Sequence, residues 1–175
     1  TSTPLRWQRG PDPRGAGGNR RTDGRVLDGT CPGAVAGRLA DTRSLDLDIQ
    51  GRVTLHSGHA CGVLMRTTPK ATAGTALVLD AANDEWLLVD AAAGPYGIRL
   101  DAVLDRVRTD AVRRKDYPIR LLVRDRYIEV FVDDHLLFST IIRPAETNQT
   151  CIAAMVDRGH ACFEFHTAQA LRPMP

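Results

Sequence analysis

Five residues able to bind a polar ligand, Arg120, Arg124, Tyr127, Glu129 and Asp133, fall within one short segment at regular spacing. That segment, Ile119 to Thr140, reads IRLLVRDRYIEVFVDDHLLFST. A two-residue turn at Asp125-Arg126, a common hairpin length, sets Leu121 opposite Val130, Val123 opposite Ile128 and Ile119 opposite Val132. Side chains alternate across a strand, so these six apolar residues share one face. The other face then carries Arg120, Leu122, Arg124, Tyr127, Glu129, Phe131 and Asp133. Carboxylates accept from vicinal hydroxyls, a guanidinium donates through its planar fork, and an aromatic ring covers an apolar patch. Such a face suits a polyhydroxylated ligand. A half-solvated antiparallel sheet shows the same alternation with no ligand at all. Its charges would then form cross-strand pairs that contribute a few tenths of a kcal/mol each.

The rest of the chain supplies elements to hold that hairpin. From Arg25 onward the dominant signal is period two. Leu45, Leu47 and Ile49 alternate with Asp46, Asp48 and Gln50, which predicts a half-buried strand. Val53-Thr54-Leu55, Gly62 to Arg66, Ala76 to Asp80 and Glu85 to Asp90 are further strands, with Asn83-Asp84 as a tight turn between the last two. Short strands punctuated by turns at these intervals favour an all-β antiparallel sandwich. One stretch departs from the pattern: Leu100, Val103, Leu104 and Val107 follow helical spacing, which predicts a short helix over 99–108. The stretch from Thr1 to Arg25 is rich in Gly, Pro and Arg and lacks an apolar period, so it reads as a linker or arm, in which Trp7 could pin the arm to a neighbour. The expected division is therefore 1–25 arm and 26–175 sandwich domain.

Composition narrows the function classes. The formal charge of +2 divides into +4 over residues 1–25, where six Arg face Asp12 and Asp23, and −2 over the remainder. The basic excess sits outside the folded body, whereas a nucleic-acid binder places it on a structured face. No apolar run approaches the ~20 residues that span a bilayer. A start at Thr1 fits a mature or excised piece. The four cysteines, Cys31, Cys61, Cys151 and Cys162, are compatible with two disulfides and an oxidising compartment. Four buried thiols in a cytoplasmic protein are the alternative. His56 and His59 lie three apart in HSGH, a spacing that a solvated or hydrogen-bonded pair explains better than a metal. Asn148-Gln149-Thr150 fits a glycosylation acceptor, discounted because high Ala, Arg and Asp usage looks bacterial.

Catalysis by this chain alone finds little support. Glycosidases hold two carboxyl groups about 5 to 9.5 Å apart, whereas four residues of strand separate Glu129 from Asp133 by about 13 Å. A neighbouring strand could bring Asp80 or Asp90 closer. Ser44, Ser57 and Ser139 lack the Gly-x-Ser-x-Gly setting of a nucleophile elbow.

Ile128-Glu-Val-Phe-Val-Asp-Asp134, followed by a short apolar strand, resembles the C-terminal β-sandwich of glycoside hydrolase family 32 and the related fructan-binding carbohydrate-binding family 66. Cys61-Gly-Val-Leu-Met-Arg66 is similar to that family's strand ending in Arg. Ala76 to Asp80 with Trp86 to Asp90 looks like its central meander, and Ile152 to Phe165 like its closing hairpin. The resemblance spans roughly residues 45 to 165 in short, mostly apolar motifs. It implies a concanavalin A-like jelly roll, with 99–108 as strand or loop rather than helix, and the two readings of that stretch stand side by side. The family's catalytic propeller motifs are absent from this sequence. The resemblance therefore implies a non-catalytic module of a secreted or cell-surface glycoside hydrolase that binds an oligosaccharide or polysaccharide, fructan-like or a related furanoside. Glu129 and Arg66 are its implied acceptor and donor. Facing adds Asp133, Arg124 and Tyr127, with Trp86 as an alternative stacking group. No cofactor is implied. Two other readings remain: a structural domain docking on a catalytic domain or second subunit through Leu122, Phe131 and Leu137, and a laminin-G-like adhesion domain using calcium at Asp133-Asp134.

Overall fold

A computed structural model describes residues 26–42, 46–67, 73–94, 97–144 and 150–170 of the 175-residue chain, with backbone alone over 26–42 and at the outer ends of several strands. The arm expected over 1–25, Trp7, Leu45 and Asn148 lie outside the described residues. The described residues form ten strands, β1 (Val26–Thr42), β2 (Leu47–Ser57), β3 (Ala60–Thr67), β4 (Gly74–Asp80), β5 (Glu85–Gly94), β6 (Gly97–Arg108), β7 (Asp116–Arg124), β8 (Tyr127–Val132), β9 (His135–Ile141) and β10 (Thr150–Ala170), with period two clearest in β2, β7 and β8. Every pairing is antiparallel, along the path β6-β5-β4-β3-β10-β2-β7-β8-β9, with β1 also on β10.

The organising element is β10. Along one edge it pairs first with β3, Cys151 to Asp157 against Thr67 to Ala60, then with β2, His160 to Ala170 against Ser57 to Leu47. β2 and β3 thus lie end to end, and β1 follows β10's opposite edge. β7, β8 and β9 extend from β2, while β4, β5 and β6 extend from β3. The sheet bends where β2 gives way to β3, and its two halves close on one core. Leu47, Ile49, Leu55, Leu121, Ile128, Val130 and Phe138 from one half pack with Met65, Leu77, Leu79 and Leu88 from the other. Each such side chain contributes about 1.5–3 kcal/mol by leaving water.

Glycine makes the bend. Gly58 has φ +103°, and a Cβ on it would lie 2.4 Å from the Arg158 carbonyl oxygen; on Gly159 it would lie 2.0 Å from the Ser57 carbonyl oxygen. Strands can switch sheets at such corners. The His59 amide donates to the Asp157 carbonyl at 3.1 Å, and the Arg113 guanidinium donates to the Gly58 carbonyl at 2.9 Å. The ring of His56 stacks on that of His160, with centroids 4.7 Å apart. The HSGH histidines therefore belong to the corner.

The opposite end of the sandwich is held by charges. Arg66, at the end of β3, lies 4.0 Å from Asp46, just before β2. Asp90 on β5 lies 2.9 Å from Nε of Arg143, which follows β9. Both pairs join one half of the sheet to the other. The Asp90 contact is ionic without being an aligned hydrogen bond, because Oδ2 has no hydrogen-bond partner.

Three expectations are corrected. Residues 99–108 form strand β6, the reading the resemblance implies, rather than the helix that the spacing predicts, and the cause is visible in the register. Leu88 pairs with Asp105, Val89 with Val103, and Ala91 with Leu100, so two irregularities add residues to β6 and break its period of two. Leu104 and Val107 pack on the core while Leu100 and Val103 are exposed, which mimics helical spacing. The closing hairpin at Ile152 to Phe165 is one continuous strand: Asp157-Arg158-Gly159 bends β10 but does not reverse it. Finally, Cys61 carries a free, fully buried thiol, so a framework of two disulfides using all four cysteines is not formed. Burial pushes that thiol far above the usual thiol range. The side chains of Cys31 and Cys151 lie outside the described residues. No helix among the described residues is long and apolar enough to cross a membrane.

Candidate functional site

The hairpin β7–β8 forms with Ile119 opposite Val132, Leu121 opposite Val130 and Val123 opposite Ile128, around the turn Asp125-Arg126. All six face the core. The alternation puts their neighbours on the outer face, where pairing with β2 and β9 arranges them in three rows. Arg124, Tyr127 and Ile141 form the row nearest the turn. Asp48, Leu122, Glu129 and Ser139 form the next. Gln50, Arg120, Phe131 and Leu136 form the third.

Two contacts fix this surface. Asp48 accepts two hydrogen bonds from Arg120, from Nε at 3.1 Å and from a terminal nitrogen at 2.9 Å, the bidentate geometry that suits a carboxylate and a guanidinium. Those bonds raise the Arg120 pKa above its usual value. The hydroxyls of Tyr127 and Ser139 are hydrogen-bonded to each other. The exposed Tyr127 ring is therefore held by its polar end beside a half-buried carboxylate, Glu129, two residues along the same strand face. Two residues of strand amount to about 7 Å, roughly the span of one sugar ring. The arrangement offers an aromatic platform, an acceptor at Glu129 and a donor at Arg124, with Ser139 between the first two.

The six residues predicted as a site are only partly brought together. Arg124, Tyr127 and Glu129 share the outer face. Arg66 sits at the charged end of the sandwich with its side chain only 4% exposed. Burial lowers its pKa, and Asp46 and Asp125 counter part of that. The Asp125 amide also donates to Asp46 at 2.7 Å, so Arg66 and Asp46 brace the β7–β8 turn rather than reach outward. Asp133 lies beyond the far end of β8, where Lys115 Nζ approaches its carboxylate at 3.2 Å. Trp86 is 2% exposed and meets Tyr117 edge-on, with centroids 5.5 Å apart. It is a core residue and cannot serve as a stacking platform. Its facing was not legible because Glu85 to Asp90 is apolar on both faces: Leu87 and Val89 belong to a second buried cluster on the side away from Trp86 and Leu88.

The Asp133-Asp134 pair has a backbone explanation. Both residues have positive φ, 51° and 61°, and together they make the two-residue connection between β8 and β9. That is the requirement of a type I′ turn, for which Asp is suited. No group of three or more metal-ligating side chains occurs among the described residues. Asp48 and Ser139 were not anticipated as parts of the surface. The alternation of Asp46, Asp48 and Gln50 with apolar residues showed which side of β2 was wet. That β2 neighbours β7, far along the chain, had no local signal.

No protein-family model matches the chain, and no curated protein does. Among solved structures, the chain is similar to the carbohydrate-binding module CBM66 from Bacillus subtilis at 16% identity, with a TM-score of 0.74 and 96% of each chain covered. It is also similar to the Bacillus licheniformis beta-glucanase, at 13% identity and a TM-score of 0.60, over 98% of this chain and 94% of that one. The exoplasmic/lumenal domain of VIP36, in a form bound to Ca2+ and Man3GlcNAc, is similar at 11% identity and a TM-score of 0.63, over 98% and 86%. These likenesses show the fold: an all-β, antiparallel, concanavalin A-like jelly roll.

Proposed function

We propose that this domain is a non-catalytic sugar-binding module that accompanies a secreted glycoside hydrolase and takes a fructan-like or related furanoside glycan. One observation carries the reading: Tyr127, Glu129 and Ser139 lie side by side on the solvent-facing side of the hairpin and its neighbour β9, with Arg124 opposite Tyr127. Glu129 accepts from two neighbouring sugar hydroxyls, Arg124 donates to a hydroxyl or ring oxygen, and the Tyr127 ring covers the apolar edge of the sugar. Arg120 stays committed to Asp48 and sets the floor of the site. The fold shared with a carbohydrate-binding module supports the reading, and the furanoside preference rests on the short motifs around Glu129.

The test is isothermal titration against fructan and arabinan oligosaccharides, with calcium present and absent. Saturable binding that Glu129→Gln weakens by about 1.5 to 3 kcal/mol, roughly ten- to a hundredfold, is the expected outcome. Absence of binding across the panel, or binding indifferent to Glu129→Gln, would refute the site. A second reading, that the domain is an accessory packed on a protein partner, is favoured by one feature of the same half-sheet: Leu136 and Ile141 on β9 are large, apolar and exposed.

A further inference from the structure

The two ends of the sheet path are unlike. At one end, β6 sets its exposed Leu100 and Val103 among the charged residues Asp101, Asp105, Arg106 and Arg108. Charged side chains are a usual guard against edge-to-edge pairing. At the other end, β9 pairs with β8 and with no other strand among the described residues. Its sequence from Leu136 to Ile141, LLFSTI, has no charge, no proline and no glycine. Leu136 is 54% exposed and Ile141 is 64% exposed. An edge of this composition is left open for a strand.

The pattern along β9 identifies that strand. Ser139 and Ile141 project to the outer face beside Glu129 and Tyr127, and Leu136 beside Phe131. Leu137 turns inward onto the core and is skipped in the pairing, which shifts register between Val130 and Phe131. If two copies of β9 run antiparallel about a two-fold axis at Ser139, Ser139 meets its own copy. Thr140 then lies opposite Phe138 on the core side. With the same one-residue skip at Leu137, Ile141 of each copy lies over Leu136 of the other. Every pair joins side chains from the same face, both exposed apolar residues of β9 are covered at once, and no like charges oppose one another. A two-fold interface must be self-complementary in this way.

We infer that β9 pairs with β9 of a second copy of this chain, making one sheet continuous through the dimer. An interface of one strand edge and four apolar side chains is small, which places it among weak, concentration-dependent associations. The two β8 strands would lie three strand spacings apart, about 14 Å, so both outer faces would present to one side. The bivalent use of those faces rests on the sugar-binding reading; the dimer itself does not.

Sedimentation equilibrium of the full chain from about 10 µM to about 1 mM, the range of weak association, tests the pairing without any sugar. A reversible monomer–dimer equilibrium is expected, with Leu136→Lys/Ile141→Lys weakening it at least tenfold. Both sites are exposed, and circular dichroism and the urea midpoint check that the fold is kept. A second variant, Leu100→Lys on β6, should leave the equilibrium unchanged. A chain that stays monomeric to about 1 mM overturns the inference, as does a dimer indifferent to the double substitution or broken by Leu100→Lys.

Discussion

Replacing Gly159 by alanine should cost about as much stability as truncating a large core side chain. The added Cβ would lie 2.0 Å from the Ser57 carbonyl oxygen and 2.5 Å from Gly58 Cα. Ordinary contact begins at 3.4 Å, so the two backbones must part by well over one bond radius to admit the methyl group. Every atom met is main chain, so no side chain can swing aside. Parting the strands lengthens the His59 to Asp157 backbone hydrogen bond, now 3.1 Å, and disturbs the pairing of Ser57 with His160. Overpacking of this kind costs about 1–3 kcal/mol, and each weakened hydrogen bond adds about 1 kcal/mol. The total, about 3–5 kcal/mol, is a large part of the 5–15 kcal/mol of a typical domain. With a urea m-value of about 2 kcal/mol/M, the midpoint should fall by about 1.5–2.5 M at unchanged slope. A Gly159→Ala midpoint within about 0.3 M of the parent would mean that the strands do not cross so closely, and the corner as described would be wrong.

Two further substitutions probe the interior. Val130→Asp places a carboxylate at a fully buried position of β8 and should destabilise by about 3–5 kcal/mol in the same urea titration; a stable variant would contradict the facing of the whole β7–β8 hairpin. At Cys61 the native fold retains a proton that the unfolded chain releases above about pH 8.5. The native state then binds more protons than the unfolded one, so stability falls as pH rises, by up to about 1.4 kcal/mol per pH unit. Urea midpoints measured upward from about pH 8 should show this slope, and Cys61→Ala should flatten it. Peptide mapping after thiol alkylation should find Cys61 unlabelled in native protein.

Period two in the sequence was enough to place Leu47, Ile49, Leu121, Val123, Ile128 and Val130 in one core, because that alternation has a single physical meaning when one face is wet. It failed where registers shift. β6 lost its alternation to two irregularities and so looked helical. The hairpin that the resemblance implied over Ile152 to Phe165 is one strand bent at Arg158-Gly159, because a bend and a turn ask the same residues for positive φ or a missing Cβ. Tyr127 and Glu129 were legible as surface residues, being on a hairpin closed by local sequence. The roles of Arg66, Trp86 and Asp48 were not, because each depends on a partner distant in sequence: Asp46, Tyr117 and Arg120.

The strand β10 serves both halves of the sandwich, and this governs which insertions and deletions the chain can tolerate. A length change in the β7–β8 turn affects one hairpin. A single residue gained or lost between Asp157 and His160 would shift the register of one half against β2 while the other half stayed in place against β3. With a period of two, such a slip would turn the core-facing residues of that half outward. Lineages of this domain should therefore keep the spacing across the corner fixed.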